Sequence, residues 1–102
     1  MPTLDEYRAH LRERLDLCRV PESLHSGLVE YFAARRRPGG FLSAVLQNDL
    51  RDAVLRADVE NLARIGSLVM FLVNYTPATA WGSEDVFNGW LGATDPPPLL
   101  FE

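Results

Sequence analysis

Hydrophobic positions recur at helical spacing along most of the chain, and the richest run is Asp58 to Tyr75, D-V-E-N-L-A-R-I-G-S-L-V-M-F-L-V-N-Y. Asp58 can accept from the free amides of a first turn, Glu60 suits the positive end of the dipole, and Pro77 ends the run. The spacing predicts one helix of about four to five turns. Ile65, Leu68, Val69, Phe71, Leu72, Val73 and Tyr75 cover nearly every direction around its axis, where a surface helix would show a single apolar stripe. The pattern therefore predicts a central helix covered by others. Its unbroken apolar stretch, Leu68 to Val73, falls far short of the roughly 20 residues that a bilayer span needs.

Toward the N-terminus, Thr3 with Glu6 is a capping-box pattern that starts a first helix reaching about Cys18. Leu4, Leu11 and Cys18 recur every seven residues, with Tyr7 and Leu15 between them, and form a narrow seam from which His10 lies apart. Pro21 opens a second helix that is expected to reach Arg37, burying Leu24, Leu28, Tyr31 and Phe32. Arg35, Arg36 and Arg37 would then occupy its last turn, before Pro38-Gly39-Gly40 stops it. Phe41, Leu42, Val45 and Leu46 suit a short buried helix. Asn48 is the expected cap of the next, Asp49 to Arg56, with Leu50, Val54 and Leu55 facing inward and Asp52 paired with Arg56.

Beyond the long helix, residues 76–82 read as an ordered loop pinned by Trp81. Ser83 caps a helix to about Leu91 that presents Val86, Phe87, Trp90 and Leu91 on its apolar side. The prolines of A-T-D-P-P-P-L-L-F-E exclude a helix and favour an extended tail. The expected fold is all-α: a compact bundle of about five helices around a central buried helix, residues 58–75. Residues 1–95 form one helical domain and 96–102 a Pro-rich tail.

Composition narrows the function more than it shapes the fold. At 102 residues there is room for one core. The net charge of -4 lacks the basic excess that drives nonspecific phosphate binding, so nucleic acid ranks below protein as a partner. All 10 cationic side chains are Arg, which excludes Schiff-base lysine chemistry and a P-loop lysine. Cys18 stands alone, so neither an intrachain disulfide nor a thiolate zinc site is expected. The N-terminus shows no apolar core behind a basic start, and the cytoplasm of a bacterial host cell is the expected compartment.

From residue 38 onward the chain resembles a set of small, uncharacterised proteins encoded by bacteriophages and prophages. The likeness is carried by P-G-G-F-L-S-A-V-L-Q-N-D-L at 38–50, R-A-D at 56–58, Asn61, N-Y-T-P at 74–77 and W-G-S at 81–83, with V-P-E at 20–22. It implies a phage setting and a helical fold, and no reaction. The first helix and the P-P-P-L-L-F tail fall outside the pattern.

Candidate chemistry is sparse. Cys18 as nucleophile would need His10 or His25, yet it lies on an apolar seam and reads as a core thiol. Two histidines without a carboxylate or Cys pattern do not define a metal site, and no cofactor is expected. Asn48, Asp49 and Asp52 are the most suggestive polar cluster, because two carboxylates three apart share a helix face; capping explains them without a ligand. Arg35, Arg36 and Arg37 can grip phosphate or an acidic partner as guanidinium forks. Trp81, Trp90, Leu99, Leu100 and Phe101 have the character of binding anchors and equally of core residues.

The expected activity is non-enzymatic: a phage or prophage protein that binds a protein partner, a host factor or defence component, as inhibitor or adaptor. Arg35, Arg36, Arg37, Asp49, Asp52, Trp81, Trp90, Leu99, Leu100 and Phe101 are the candidate contact residues. The alternative is a nucleic-acid accessory or regulatory role for the Arg35–Arg37 patch. A homodimer is also expected, through the first helix or the tail.

Overall fold

The computed structural model describes residues 2–99. Thr3 Oγ1 accepts from the Glu6 amide at 3.1 Å while the Glu6 carboxylate accepts from the Thr3 amide at 3.0 Å, and this capping box starts α1, Leu4–Leu17. The buried face of α1 is Tyr7, His10, Leu11 and Leu15, which corrects one expectation. His10 lies on the packed face beside the seam, and of the seam itself Tyr7, Leu11 and Leu15 are fully buried and Cys18 packs half-buried against the core, while Leu4 at its start stays 39% exposed. A straight helix drifts about 20° per heptad, so only the middle of a 4–11–18 row is fully covered.

Arg19 closes α1 in the left-handed region at φ 61, where its amide donates to Asp16 O and that of Val20 to Leu15 O. This is a Schellman ending without glycine. A 3-10 turn, Glu22–Leu24, leads into α2, His25–Ala34. The helix stops three residues before Arg37 because Arg35 turns to φ 55 and Pro38 forces the residue before it out of helical geometry. Within α2, Leu28, Val29, Tyr31 and Phe32 are fully buried.

Helix α3, Gly40–Leu46, is buried along Phe41–Leu46 and ends on Asn48 at φ 60, where the amides of Asn48 and Asp49 return to Val45 O and Ala44 O. Asn48 therefore terminates α3 and does not cap the next helix. Asp49 does so, accepting from the Asp52 amide at 3.1 Å to start α4, Leu50–Arg56. Both residues are competent caps; Asn tolerates the left-handed turn better, so the roles divide this way. The Asp52–Arg56 pair forms at 2.9 Å. Of α4 only Ala53 is buried, while Leu50, Val54 and Leu55 point outward, against expectation.

The long run from Asp58 divides. Asp58 caps α5, Val59–Ala63, as its sequence suggests, accepting from Asn61 N at 2.7 Å. The helix then breaks at Arg64 and resumes as α6, Ile65–Tyr75. The break lies just before Gly66-Ser67, a pair that lowers the cost of a kink. In α6 only Leu68, Phe71 and Leu72 are buried, one stripe at helical spacing, while Val69, Met70 and Val73 face out. The expected central helix is thus a broken, one-sided one.

The loop after α6 is tied at two points: the Tyr31 hydroxyl donates to Ala80 O, and Gly82 N donates to Leu46 O at 2.8 Å. Ser83 caps α7, Glu84–Gly92, whose Phe87 stacks on Tyr31 at 5.5 Å and whose Trp90 indole donates to Tyr31 O at 2.8 Å. Past α7 the described residues, 93–99, form no helix or strand. The start of this segment is held by Arg35, which donates to Asp95 O at 3.2 Å, and Leu99 packs against the core. Leu100 and Phe101 lie outside the described residues. The described chain is all-α, with seven α-helices and no strand, and none of these helices is long and apolar enough to cross a membrane.

Candidate functional site

Because α4 leaves the end of α3 and α6 follows the kink at Arg64, the two helices flank an open cleft of about 610 Å³. Leu50 and Ala53 line it from α4, and Ile65, Gly66 and Val69 from α6. Val45, Trp81 and Gly82 complete the apolar part of its lining. Asn48 and Asp49 are the polar members of the lining. Trp81 is pinned there by its neighbours, since Ala80 and Gly82 make the two loop ties, while its own indole N–H is buried and meets no acceptor.

The helices α4, α5 and α6 leave many aliphatic side chains exposed. Leu50 is 70% exposed and Leu55 72% on α4, Val59 87% on α5, and Met70 56% and Val73 61% on α6; Val54, Leu62 and Val69 are partly exposed as well. From Ile65 to Gly82 the sequence carries no Asp, Glu, Lys, Arg or His. That gap in charge is the one sequence signal for this face. It reads as burial when the covering neighbours are unknown.

The predicted contact residues are distributed unevenly over the structure. Trp81 and Asp49 meet at the cleft. The Asp49 carboxylate is engaged as the α4 cap and that of Asp52 by Arg56, so each has a structural partner. Both also border a shallow hollow of about 280 Å³ with Arg51 and Leu55. Trp90 is core, 6% exposed.

The three arginines of the run turn to different neighbours. Arg35 folds inward, its Cζ 4.0 Å from the Trp90 ring centroid and its Nη1 donating to Trp90 O at 3.0 Å. Arg36 reaches Glu30 at 4.0 Å, and Arg37 lies over Phe87 at 5.3 Å while facing Asp52 and Arg56 across a hollow of about 250 Å³. The three guanidiniums thus have three different sets of neighbours.

Among the titratable groups, burial pushes the Cys18 thiol up, against a smaller opposing pull from Arg14, which makes a poor nucleophile. His25 is buried with one ring nitrogen 2.8 Å from Val20 O. Among the described residues, no group of three or more His, Cys, Asp or Glu side chains is placed to hold a metal. One pair that the sequence does not reveal is Arg8–Glu30, a two-pronged contact at 2.9 and 3.1 Å that joins α1 to α2. The Arg8 hydrogen bond holds the Glu30 carboxyl below its ordinary value, with burial opposing.

The chemistry that this arrangement offers is apolar recognition: a cleft lined mostly by apolar residues, with exposed aliphatic side chains on the helices that flank it. Compared with known proteins, the chain matches no family model, no curated protein and no solved structure.

Proposed function

We propose that this chain is a non-enzymatic phage or prophage protein that acts by binding another protein, a host factor or defence component, through the cleft and the exposed aliphatic side chains of the helices beside it. The observation that carries the reading is the amount of aliphatic surface left in water by α4, α5 and α6. Their eight Leu, Val and Met side chains are each 40% exposed or more. Exposed apolar side chains gathered on neighbouring helices commonly mark protein interfaces. The phage setting is supported by the likeness of residues 38–83. The nucleic-acid alternative has less support, because Arg35 is engaged with Trp90 and Arg36 leans on Glu30.

The test uses the intact chain as bait in a lysate of its bacterial host, beside a Leu50→Asp/Val69→Asp variant with an unchanged circular dichroism spectrum. A protein recovered by the intact chain and lost with the variant is the expected result. Recovery of nothing above background refutes the reading, and equal recovery by the variant refutes the face.

A further inference from the structure

Between α3 and α4 lies the hollow of about 250 Å³, with Arg37, Gly40, Ser43, Gln47, Asp52 and Arg56 among its lining residues. It is a polar site, and it shares no lining residue with the apolar cleft. Two guanidiniums on one small hollow repel each other, and the Asp52 carboxylate offsets only one of them. Two cations against one carboxylate leave the site positive on a molecule of net charge -4.

Both guanidiniums are positioned with N–H groups to spare. Arg56 Nε donates to Asp52 Oδ2 at 2.9 Å, and Arg56 Nη1 lies over the start of α3, 2.7 Å from where a Cβ on Gly40 would stand. A side chain at position 40 would push the guanidinium out of that place. The Nη1–Nη2 edge of Arg56 makes no hydrogen bond among the described residues, and such an edge is the fork that grips an oxyanion by two bonds. Arg37 stands over the Phe87 ring at 5.3 Å, a contact that uses the face of the guanidinium and leaves its edges. Among the described residues Arg37 forms no ion pair.

Asp52 makes the site selective. Its Oδ2 takes the Arg56 bond, while no donor among the described residues reaches Oδ1. A carboxylate beside two guanidiniums repels a fully ionised oxyanion and accepts a hydrogen bond from one that still carries a proton. Gln47 is set the same way, because its amide nitrogen donates to Ser43 O at 3.0 Å and its oxygen remains as an acceptor. Two donors facing two acceptors match a part-protonated phosphate, whereas sulfate has no proton to offer. We infer that the hollow binds a phosphate group, free or at the end of a small ester, with Arg37 and Arg56 gripping its oxygens and Asp52 accepting from its hydroxyl. The volume lies below the roughly 300–1,000 Å³ of pockets that enclose whole ligands, which suits a single phosphate better than a nucleotide. This site stands independently of the protein-binding reading of the cleft.

Nuclear magnetic resonance titration of the isotope-labelled intact chain tests it, with inorganic phosphate against sulfate at equal ionic strength and about pH 6, where phosphate is part-protonated. Phosphate should give saturable shifts centred on Gly40, Ser43, Gln47 and Arg56, and sulfate only small ones that do not saturate. Arg37→Gln and Arg56→Gln should each weaken phosphate binding about tenfold or more, and both residues are exposed, so the variants keep the fold. Gly40→Ala should weaken it too, although both arginines remain, because the added Cβ displaces Arg56. Arg12→Gln, at an exposed cation of α1, should leave binding unchanged. Glycerol phosphate run alongside separates the sources: tighter binding of the ester assigns the site to a phosphate ester, and equal or weaker binding to free phosphate. No saturable shift with phosphate, an equal response to sulfate, or binding that is unchanged in either arginine variant overturns the inference.

Discussion

Replacing Tyr31 with Phe tests whether the core and the cleft are mechanically linked. The Tyr31 ring is fully buried, stacked on Phe87 at 5.5 Å and edge-on to Phe32 at 5.0 Å, and Phe preserves both contacts. What is lost is the hydroxyl that donates to Ala80 O, leaving the carbonyl of a residue with 0% exposure without that donor. An orphaned buried acceptor costs about 1–3 kcal/mol, so about 2 kcal/mol is expected. In a domain of this length that corresponds to a fall in melting temperature of roughly 8–16 °C. Urea titration followed by far-ultraviolet circular dichroism gives the free energy, and an unchanged slope shows that the unfolded state is not responsible. Tyr75→Phe, which removes a half-buried hydroxyl on α6, should change stability by less than about 0.5 kcal/mol. Because Ala80 precedes Trp81, Tyr31→Phe should also weaken partner capture. A Tyr31→Phe variant within about 0.5 kcal/mol of the parent would refute the reasoning.

Glu30 has a folded pKa below its ordinary 4.5, so it adds stability that is present above that value and lost as the pH falls through the folded one; Glu30→Gln should flatten this part of an acid unfolding curve. Burial raises Tyr7 to about 12, so the sign reverses: stability holds below pH 10 and falls between pH 10 and about 12, and Tyr7→Phe should move the alkaline midpoint upward. Gly89 lies inside α7 with nothing within 4 Å of an added Cβ, and Gly89→Ala should stabilise by about 0.5–1 kcal/mol in chemical denaturation. Gly27→Ala should fall at least about 1 kcal/mol short of that gain, because its Cβ would stand 2.9 Å from Cδ1 of the buried Leu42.

Local chemistry was the readable part of this sequence. The Thr3–Glu6 box, the Asp58 and Ser83 caps and the Asp52–Arg56 pair all form where residue spacing puts them, because each depends on neighbours within four positions. Asn48 and Asp49 show the limit of such reading: adjacent residues with the same capping chemistry were separated by which one the left-handed turn of α3 took. Contacts across the chain were out of reach. Arg8–Glu30 joins positions 22 apart, and the Trp90–Tyr31 bond positions 59 apart.

The candidate site was the least legible element. Val69, Met70 and Val73 look the same in sequence as Leu68, Phe71 and Leu72, and what separates them is the side of α6 on which the rest of the chain folds. An apolar run records that a helix wants cover. It does not record whether that cover comes from the same chain. Trp81 lines the cleft, whereas Trp90 and Arg35 are drawn into the core by each other.

The central claim is that the α4–α6 face receives another protein, and a photoactivatable crosslinker at position 69, used inside the bacterial host, probes it directly. A crosslinker at position 13, on the exposed side of α1, serves as the comparison. The expected result is a discrete adduct with a different protein from position 69 and none from position 13. The same adducts from both positions, or from position 69 an adduct with a second copy of this chain and nothing else, would contradict it.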